Sequence, residues 1–294
     1  MSIEYLLPNC TLNQQLEVTQ PYLALDQVHV TTDGQVAGSL QPEQPMYQEA
    51  GGIAASEVGR HLAILGSIAL AQRNPKPGRH FYLATSAELV NLQPISDLSR
   101  MTLQATATAC EFNGKTACSV CEIRTPELGV LYLLNTTYQV LSERLFCRMF
   151  AHHRFTEPVV MAGSPYAMVE GLDIERSDDS HCRSRVMTVE PAQCLGHFAE
   201  YPSLPVAILM GRLGRVAGHL FLHRRGSPEG RYHVMRGDMQ AHQLAFAGER
   251  LRFSASIAEV IREGSERFHC TVENEDGVIF GELALTLAQV DSAS

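Results

Sequence analysis

Residues 186–220 (VMTVEPAQCLGHFAEYPSLPVAILMGRLGRVAGHL) restrict the fold more than any other part of the chain. A β-rich apolar run (Val186, Met187, Val189) enters a loop carrying Gly196 and His197. Pro202 and Pro205 punctuate the chain before a long apolar segment begins. Proline fits the first turn of a helix, where its missing N–H is not needed. The order predicts strand, loop and buried helix, with the helix at about 204–222 and His197 just ahead of it. A second stretch, 50–72 (AGGIAASEVGRHLAILGSIALAQ), also has helical spacing. Ile53, Leu62, Ile64, Leu65, Ile68 and many alanines make it apolar nearly all round, so it too should be buried.

Strand patterns surround both helices. In the first half, 22–40 reads as a hairpin turning at Asp33-Gly34, and 41–49 is a Pro- and Gln-rich loop. RNPKPG (73–78) ends the first helix, and strand-like runs follow at 79–92, 99–112, 115–124 and 129–141, two of them joined by Asn113-Gly114. Residues 142–155 suit a short helix, and 1–20 an arm or a short edge strand. TEPVVMAGSPYA (156–167), with two prolines, is the best boundary. Strands are expected beyond it at 168–176, 183–190, 231–247, 249–262, 266–273 and 278–290, with Glu275-Asp276-Gly277 at the last turn. Each half therefore has a similar order of strands, one long apolar helix and more strands, an internal duplication with units 1–155 and 156–294. An antiparallel sheet wrapped around a helix, twice over, is an α+β architecture.

Composition removes several function classes. The net charge of −9 disfavours nucleic acid, which wants a basic stripe, and an anionic membrane surface. The local basic cluster His223-Arg224-Arg225 with Arg231 and Arg236 reads as a solvated loop. No apolar run is long enough for a bilayer, and MSIEYLLPNCTLNQQ lacks the basic and apolar regions of a secretory signal. The eight cysteines lie scattered, mostly in apolar contexts, as a reducing cytoplasm permits. Cys118 and Cys121 form a CxxC within the strand-like TACSVCEI, without a second ligand pair, so no metal is expected.

Gly196-His197-Phe198 followed by Pro202, Pro205 and an apolar helix resembles the signature of the β-hydroxyacyl-acyl carrier protein dehydratases, which have the hotdog fold. The resemblance extends to the closing strand GELALTLAQV and is mainly positional over 20–141. It implies a tandem double hotdog, an intrachain pseudodimer of two antiparallel sheets each around a long central helix. It also implies no cofactor, and a cytoplasmic 3-hydroxyacyl thioester dehydratase of fatty-acid, polyunsaturated-acid or polyketide biosynthesis. The substrate would be carried on acyl carrier protein or coenzyme A, and the pseudodimer could pair further into a homo-oligomer.

The family's acidic helix residue falls on Gly211, a departure from the pattern. Placing the family's Pro-Gly on Gly51-Gly52 puts the acidic position of the first half on Glu57 and its histidine position on Glu43. In this family each site takes its histidine from one subunit and its acid from the other. Transferred here, His197 meets Glu57 in one complete site, and the other, holding Glu43 and Gly211, is dead. Histidine, with an ordinary pKa of about 6.5, can take the C2 proton. A carboxyl among Ile53, Ala54, Ala55 and Val58 can stay protonated and donate to the departing hydroxyl. Main-chain groups at Gly51, Gly52, Phe198, Pro205 or Val206 would bind the thioester oxygen. His61 reads as a structural partner of Glu57, and Arg60, Arg212 and Arg215 as helix ends, salt bridges or contacts at the pocket mouth. The same resemblance sets Tyr201 at the entrance. Two rivals remain. One is a hotdog thioesterase in which Glu57 activates water or attacks and His197 orients the carbonyl. The other is a catalytically inactive acyl-binding subunit.

Overall fold

Two buried helices of 19 residues each, α2 (Ala55–Arg73) and α4 (Val206–Arg224), organise the molecule. The structure is a computed structural model and describes residues 3–95, 98, 101–157, 159 and 161–290. Pro158 and Val160, within the segment expected to form the boundary, lie outside the described residues. On α2, Val58, Leu62, Leu65, Ile68 and Leu70 are fully enclosed, and on α4 so are Leu213, Val216, Leu220 and Phe221. Enclosing one such side chain contributes about 1.5–3 kcal/mol, so these rows hold each helix to the sheet.

The first half supplies β1 (Ile3–Leu6), β2 (Asp26–Thr31), β3 (Val36–Leu40), β4 (His80–Asn91), β5 (Leu103–Phe112), β6 (Thr116–Thr125) and β7 (Gly129–Ser142). The second supplies β8 (Ile174–Ser177), β9 (His181–Ser184), β10 (Met187–Thr188), β11 (Ser203–Leu204), β12 (Tyr232–Ala241), β13 (Ala245–Phe246), β14 (Arg250–Arg262), β15 (Ser265–Asn274) and β16 (Ile279–Gln289). One sheet runs β1-β2-β3-β5-β6-β7-β4-β12-β16-β15-β14-β9-β8, with β10 beside β14, and β11 and β13 form a separate ribbon. The two halves of the sheet meet where β4 pairs antiparallel with β12, from Val90↔Arg236 to Ser86↔Gln240. Helix α2 lies against β3, β5 and β6, α4 against β9, β14 and β15, and the two helices touch each other.

Several expectations shift. Helix α2 begins at Ala55 rather than residue 50. Gly52 instead sits in a bend, where a Cβ would come within 2.6 Å of Leu98 N. The N-terminal arm contains β1 at the sheet edge and also α1 (Asn9–Gln15), in which Leu12 is the one buried residue. A single apolar anchor leaves no helical period to read. The strand expected at 168–176 shortens to β8, and 183–190 divides between β9 and β10. The short helix expected at 142–155 is α3 (Glu143–Met149), followed by a 3-10 turn. The basic cluster is not simply solvated: Arg224 Nε and Arg225 Nη2 each lie 3.2 Å from a carboxylate oxygen of the buried Glu266. Cys118 and Cys121 are three residues apart on β6, a spacing that turns alternate faces, and Cys121 is the more deeply buried. Among the described residues no helix is long and apolar enough to cross a membrane.

Candidate active site

His197 sits in the expected loop, fixed on both sides. Gly196 has φ +83°, and a Cβ there would lie 2.5 Å from Thr19 O, so glycine is what lets the N-terminal arm pass. The arm is tied down by Thr19 N–H donating to Gly196 O (2.8 Å) and Phe198 N–H to Glu17 O (3.2 Å). His197 Nδ1 donates to Ser203 O at 2.7 Å. A carbonyl only accepts, so the proton resides on Nδ1 and the lone pair on Nε2. Burial pushes the imidazole pKa down to about 4 against that hydrogen bond, so the ring is neutral near pH 7. Phe198 stacks on it at 3.9 Å, and the Tyr22 ring meets it edge-on at 4.9 Å.

Glu57 is enclosed, but in a polar clamp rather than the expected apolar pocket. Its Oε1 accepts from Glu43 N–H (2.7 Å) and its Oε2 from Gln44 N–H (3.1 Å), with His61 Nε2 3.5 Å away. Both oxygens thus fasten the loop before α2. The two helices are of equal length. Gly211 is the sixth residue of α4, and the sixth residue of α2 is Arg60, whereas Glu57 is the third. Gly51 and Gly52, taken in the comparison as a helix start, precede α2.

Arg60 is completely buried. Its Nε and Nη2 donate to Tyr22 O (2.9 Å) and Pro21 O (2.6 Å), and its Nη1 meets Glu43 Oε1 at 2.5 Å. The guanidinium also stands 4.4 Å over the Tyr166 ring and 5.2 Å over that of Tyr22. Tyr22 therefore lies between His197 and Arg60. Glu43, expected to share a dead site with Gly211, is instead the partner of Arg60.

Two cavities lie beside Gly211. The outer one has a mixed lining, in which Gln44, Tyr47, Glu170, Arg212 and Arg215 bring the polar groups and Met46, Ala54 and Ile208 apolar ones. Arg212 is a 5% exposed side chain forked onto Glu170 (3.2 and 2.9 Å), with Nη1 left without a hydrogen-bond partner. Arg215 stacks at 3.8 Å over Tyr47 and donates to Glu170 O. The inner cavity runs between the helices and the sheet past Ala63, Leu89, Leu134, Met210, Val234 and Leu283. Among the described residues the two linings share Glu49, Ser56 and Gly211. His197 and Glu57 are in neither lining, and nor are Gly51, Gly52, Phe198 and Pro205; Val206 lines the inner cavity. Tyr201 is buried against Phe146 at 5.4 Å, away from both.

Glu49 is the group that sequence reasoning missed. Its Oε1 accepts from Ala55 N–H at 2.8 Å, capping α2. Burial, aided by the nearby Glu57 charge and opposed by that hydrogen bond, raises its pKa to about 7. A carboxyl poised there exchanges protons readily at neutral pH. It stood in a Pro- and Gln-rich loop whose only signal was its place directly before Ala50-Gly51-Gly52. Pro205 gives α4 no side-chain cap, and its first residues Val206 and Ala207 line the inner cavity, so its opening turn offers N–H groups for an oxyanion.

Comparison with known proteins places this architecture. No protein-family model and no curated protein matches the chain. Solved structures do. The 12:0-ACP thioesterase of Umbellularia californica superposes with a TM-score of 0.58 at 7% identity, covering 92% of this chain and 100% of that one. A tesB protein of Mycobacterium avium subspecies paratuberculosis gives 0.56 at 10% identity over 90% and 96% of the two chains. An Alicyclobacillus acidocaldarius protein of unknown function with a hotdog fold gives 0.53 at 14% identity, over 94% and 100%. The likeness is one of fold: the chain is an α+β double hotdog.

Proposed function

We propose that the chain is an acyl thioester-processing enzyme that hydrolyses an acyl thioester on a carrier protein or coenzyme A, with Glu49 as its acid–base group. The observation that carries this reading is the position of Glu49. It lines both the outer cavity and the apolar inner one, with a pKa of about 7. A thioester whose acyl chain fills the inner cavity has its carbonyl beside Glu49. Ionised Glu49 takes a proton from water as the water oxygen bonds to the carbonyl carbon. The negative oxygen is held by N–H groups of the α4 opening turn. The C–S bond then breaks, and Glu49 returns the proton to the thiolate, leaving acid and thiol. The shared fold with a 12:0-ACP thioesterase is in keeping with this chemistry.

A second reading, dehydration of a 3-hydroxyacyl thioester with His197 as base, is favoured by one observation. The ring is neutral, and its tautomer is set by Ser203 O. It requires the substrate to reach past Tyr22, and Glu57 to release the loop it clamps before acting as the acid. Both readings keep the division into units 1–155 and 156–294.

Turnover of saturated and 3-hydroxyacyl thioesters by the parent, Glu49→Gln and His197→Gln separates them. Hydrolysis predicts free thiol from the saturated substrate and a rate rising with pH through about 7, the pKa of Glu49. Glu49→Gln should lower that rate about 10²–10⁴-fold, the usual contribution of a general base. Dehydration predicts an enoyl product, a rate level from pH 5 to 8 because His197 titrates near 4, and loss in His197→Gln. Thiol release unchanged in Glu49→Gln sinks the hydrolase reading.

A further inference from the structure

We infer that Tyr22 is a plug: its ring fills, beside His197, the counterpart of the outer cavity, so that a ligand reaches one of two mated sites and not the other. This holds whichever reaction the open site performs. The two halves repeat one arrangement of contacts. In each, the segment leading into the first strands lies on that half's own long helix and reaches across to the loop ahead of the other helix. Ahead of β2, the carbonyl of Tyr22 accepts from Arg60 Nε on α2 (2.9 Å), and its ring meets His197 in the loop before α4. Ahead of β8, the carbonyl of Glu170 accepts from Arg215 Nη2 on α4 (2.8 Å), and its N–H donates to the hydroxyl of Tyr47 in the loop before α2 (2.8 Å). Tyr22 and Glu170 are therefore mates by contact, and so are the places they border.

The mates differ in what the side chain does. Glu170 turns onto Arg212, its oxygens 2.9 and 3.0 Å from Nη2, and the outer cavity stays open beside it. Tyr22 turns inward and is 5% exposed. Its ring is hemmed by His197 at 4.9 Å, Arg60 at 5.2 Å and Tyr166 at 5.4 Å. Neither His197 nor Arg60 lines the outer or the inner cavity, but Tyr22 lines the inner one. The tyrosine is thus the partition between that cavity and His197. The arm holds it in place: Val18 bridges His197 antiparallel, Thr19 N–H donates to Gly196 O, and a Cβ on Gly196 would lie 2.7 Å from Tyr22 N. Arg60 spends its donors on Tyr22 O, Pro21 O and Glu43, so the space behind the ring would take an uncharged, ring-sized or aliphatic group.

The test labels the histidines of the full chain with diethyl pyrocarbonate and locates the label by peptide mass spectrometry. In the parent, His197 should react about tenfold or more slower than the exposed His152, because reaction waits on a local opening of the packed arm. Tyr22→Ala should remove that protection. Adding 4-methylphenol, which replaces the lost ring in an apolar space, should restore it in the variant. Tyr22→Phe, which keeps the ring, should behave as the parent. If Tyr22→Ala fails to fold, Tyr22→Leu carries the same comparison, since its smaller side chain leaves part of the opening. A parent in which His197 is labelled as fast as His152 overturns the plug. So does a folded truncation variant whose His197 stays inert, or whose labelling 4-methylphenol does not suppress, the mark of general loosening. None of these outcomes decides the Glu49 reading, which is judged separately on thiol release.

Discussion

Arg60 anchors the first half at the residue scale. One guanidinium serves two backbone carbonyls and a carboxylate, and two aromatic rings lie beneath it. A buried ion pair of this kind stabilises little relative to apolar residues, but breaking it leaves its partner stranded. Arg60→Met should therefore cost about 3–5 kcal/mol, read as a lower urea midpoint. Arg60→Lys should recover little of the loss, because a lysine cannot reach three acceptors in one plane. The same variants would loosen Tyr22, whose backbone carbonyl Arg60 holds and whose ring packs on His197. In the sequence Arg60 was one of three helix arginines of similar appearance, because nothing local tells that its partners come from residues 21, 22 and 43.

At the scale of the element, α2 and α4 are alike in length and burial and differ in how they start. Glu49 caps α2 through Ala55 N–H, whereas α4 begins after Pro205, which has no side-chain cap to give. That difference leaves the α4 opening turn available to a ligand. Each helix also carries a glycine pressed against an aromatic hydroxyl. A Cβ on Gly66 would lie 2.6 Å from Tyr138 Oη, and one on Gly218 would lie 2.3 Å from the Tyr232 ring. The backbone of Tyr232 also bonds to Gln48 and Ala50, the residues flanking Glu49. Gly218→Ala should destabilise by about 1–3 kcal/mol, outweighing the usual helix preference for alanine. It should also disturb Glu49, seen as a lower thermal midpoint together with a displaced pH–rate profile. The buried helices were legible because both are apolar nearly all round; their register was not, since Gly51-Gly52 resembles a helix start and packs as a bend against Leu98.

Over the whole molecule, β4 and β12 join the two halves into one sheet, and the N-terminal arm crosses to the His197 loop through Val18 and Thr19. The inner cavity takes its walls from both halves, Leu89 and Leu134 from one and Val234 and Leu283 from the other. Residues 1–155 and 156–294 produced as separate chains each expose a sheet edge and half of that cavity. Mixed, they should reassemble into a particle the size of the intact chain, followed by size-exclusion chromatography and recovery of acyl-thioether binding. Two halves that remain monomeric after mixing would rule out the division as drawn.

Sequence by itself determined most of the long strands, the two long helices and the loop holding His197, since alternation, helical period and proline placement are local properties of the chain. It also put a tandem hotdog in view. Tertiary structure alone decided which acidic group faces a cavity, because Glu43, Glu49 and Glu57 lie within fifteen residues and only packing distinguishes an arginine partner, a cavity carboxyl and a loop clamp. It likewise decided where the inner cavity lies, because its walls come from both helices and from strands of both halves, and no stretch of sequence contains them all.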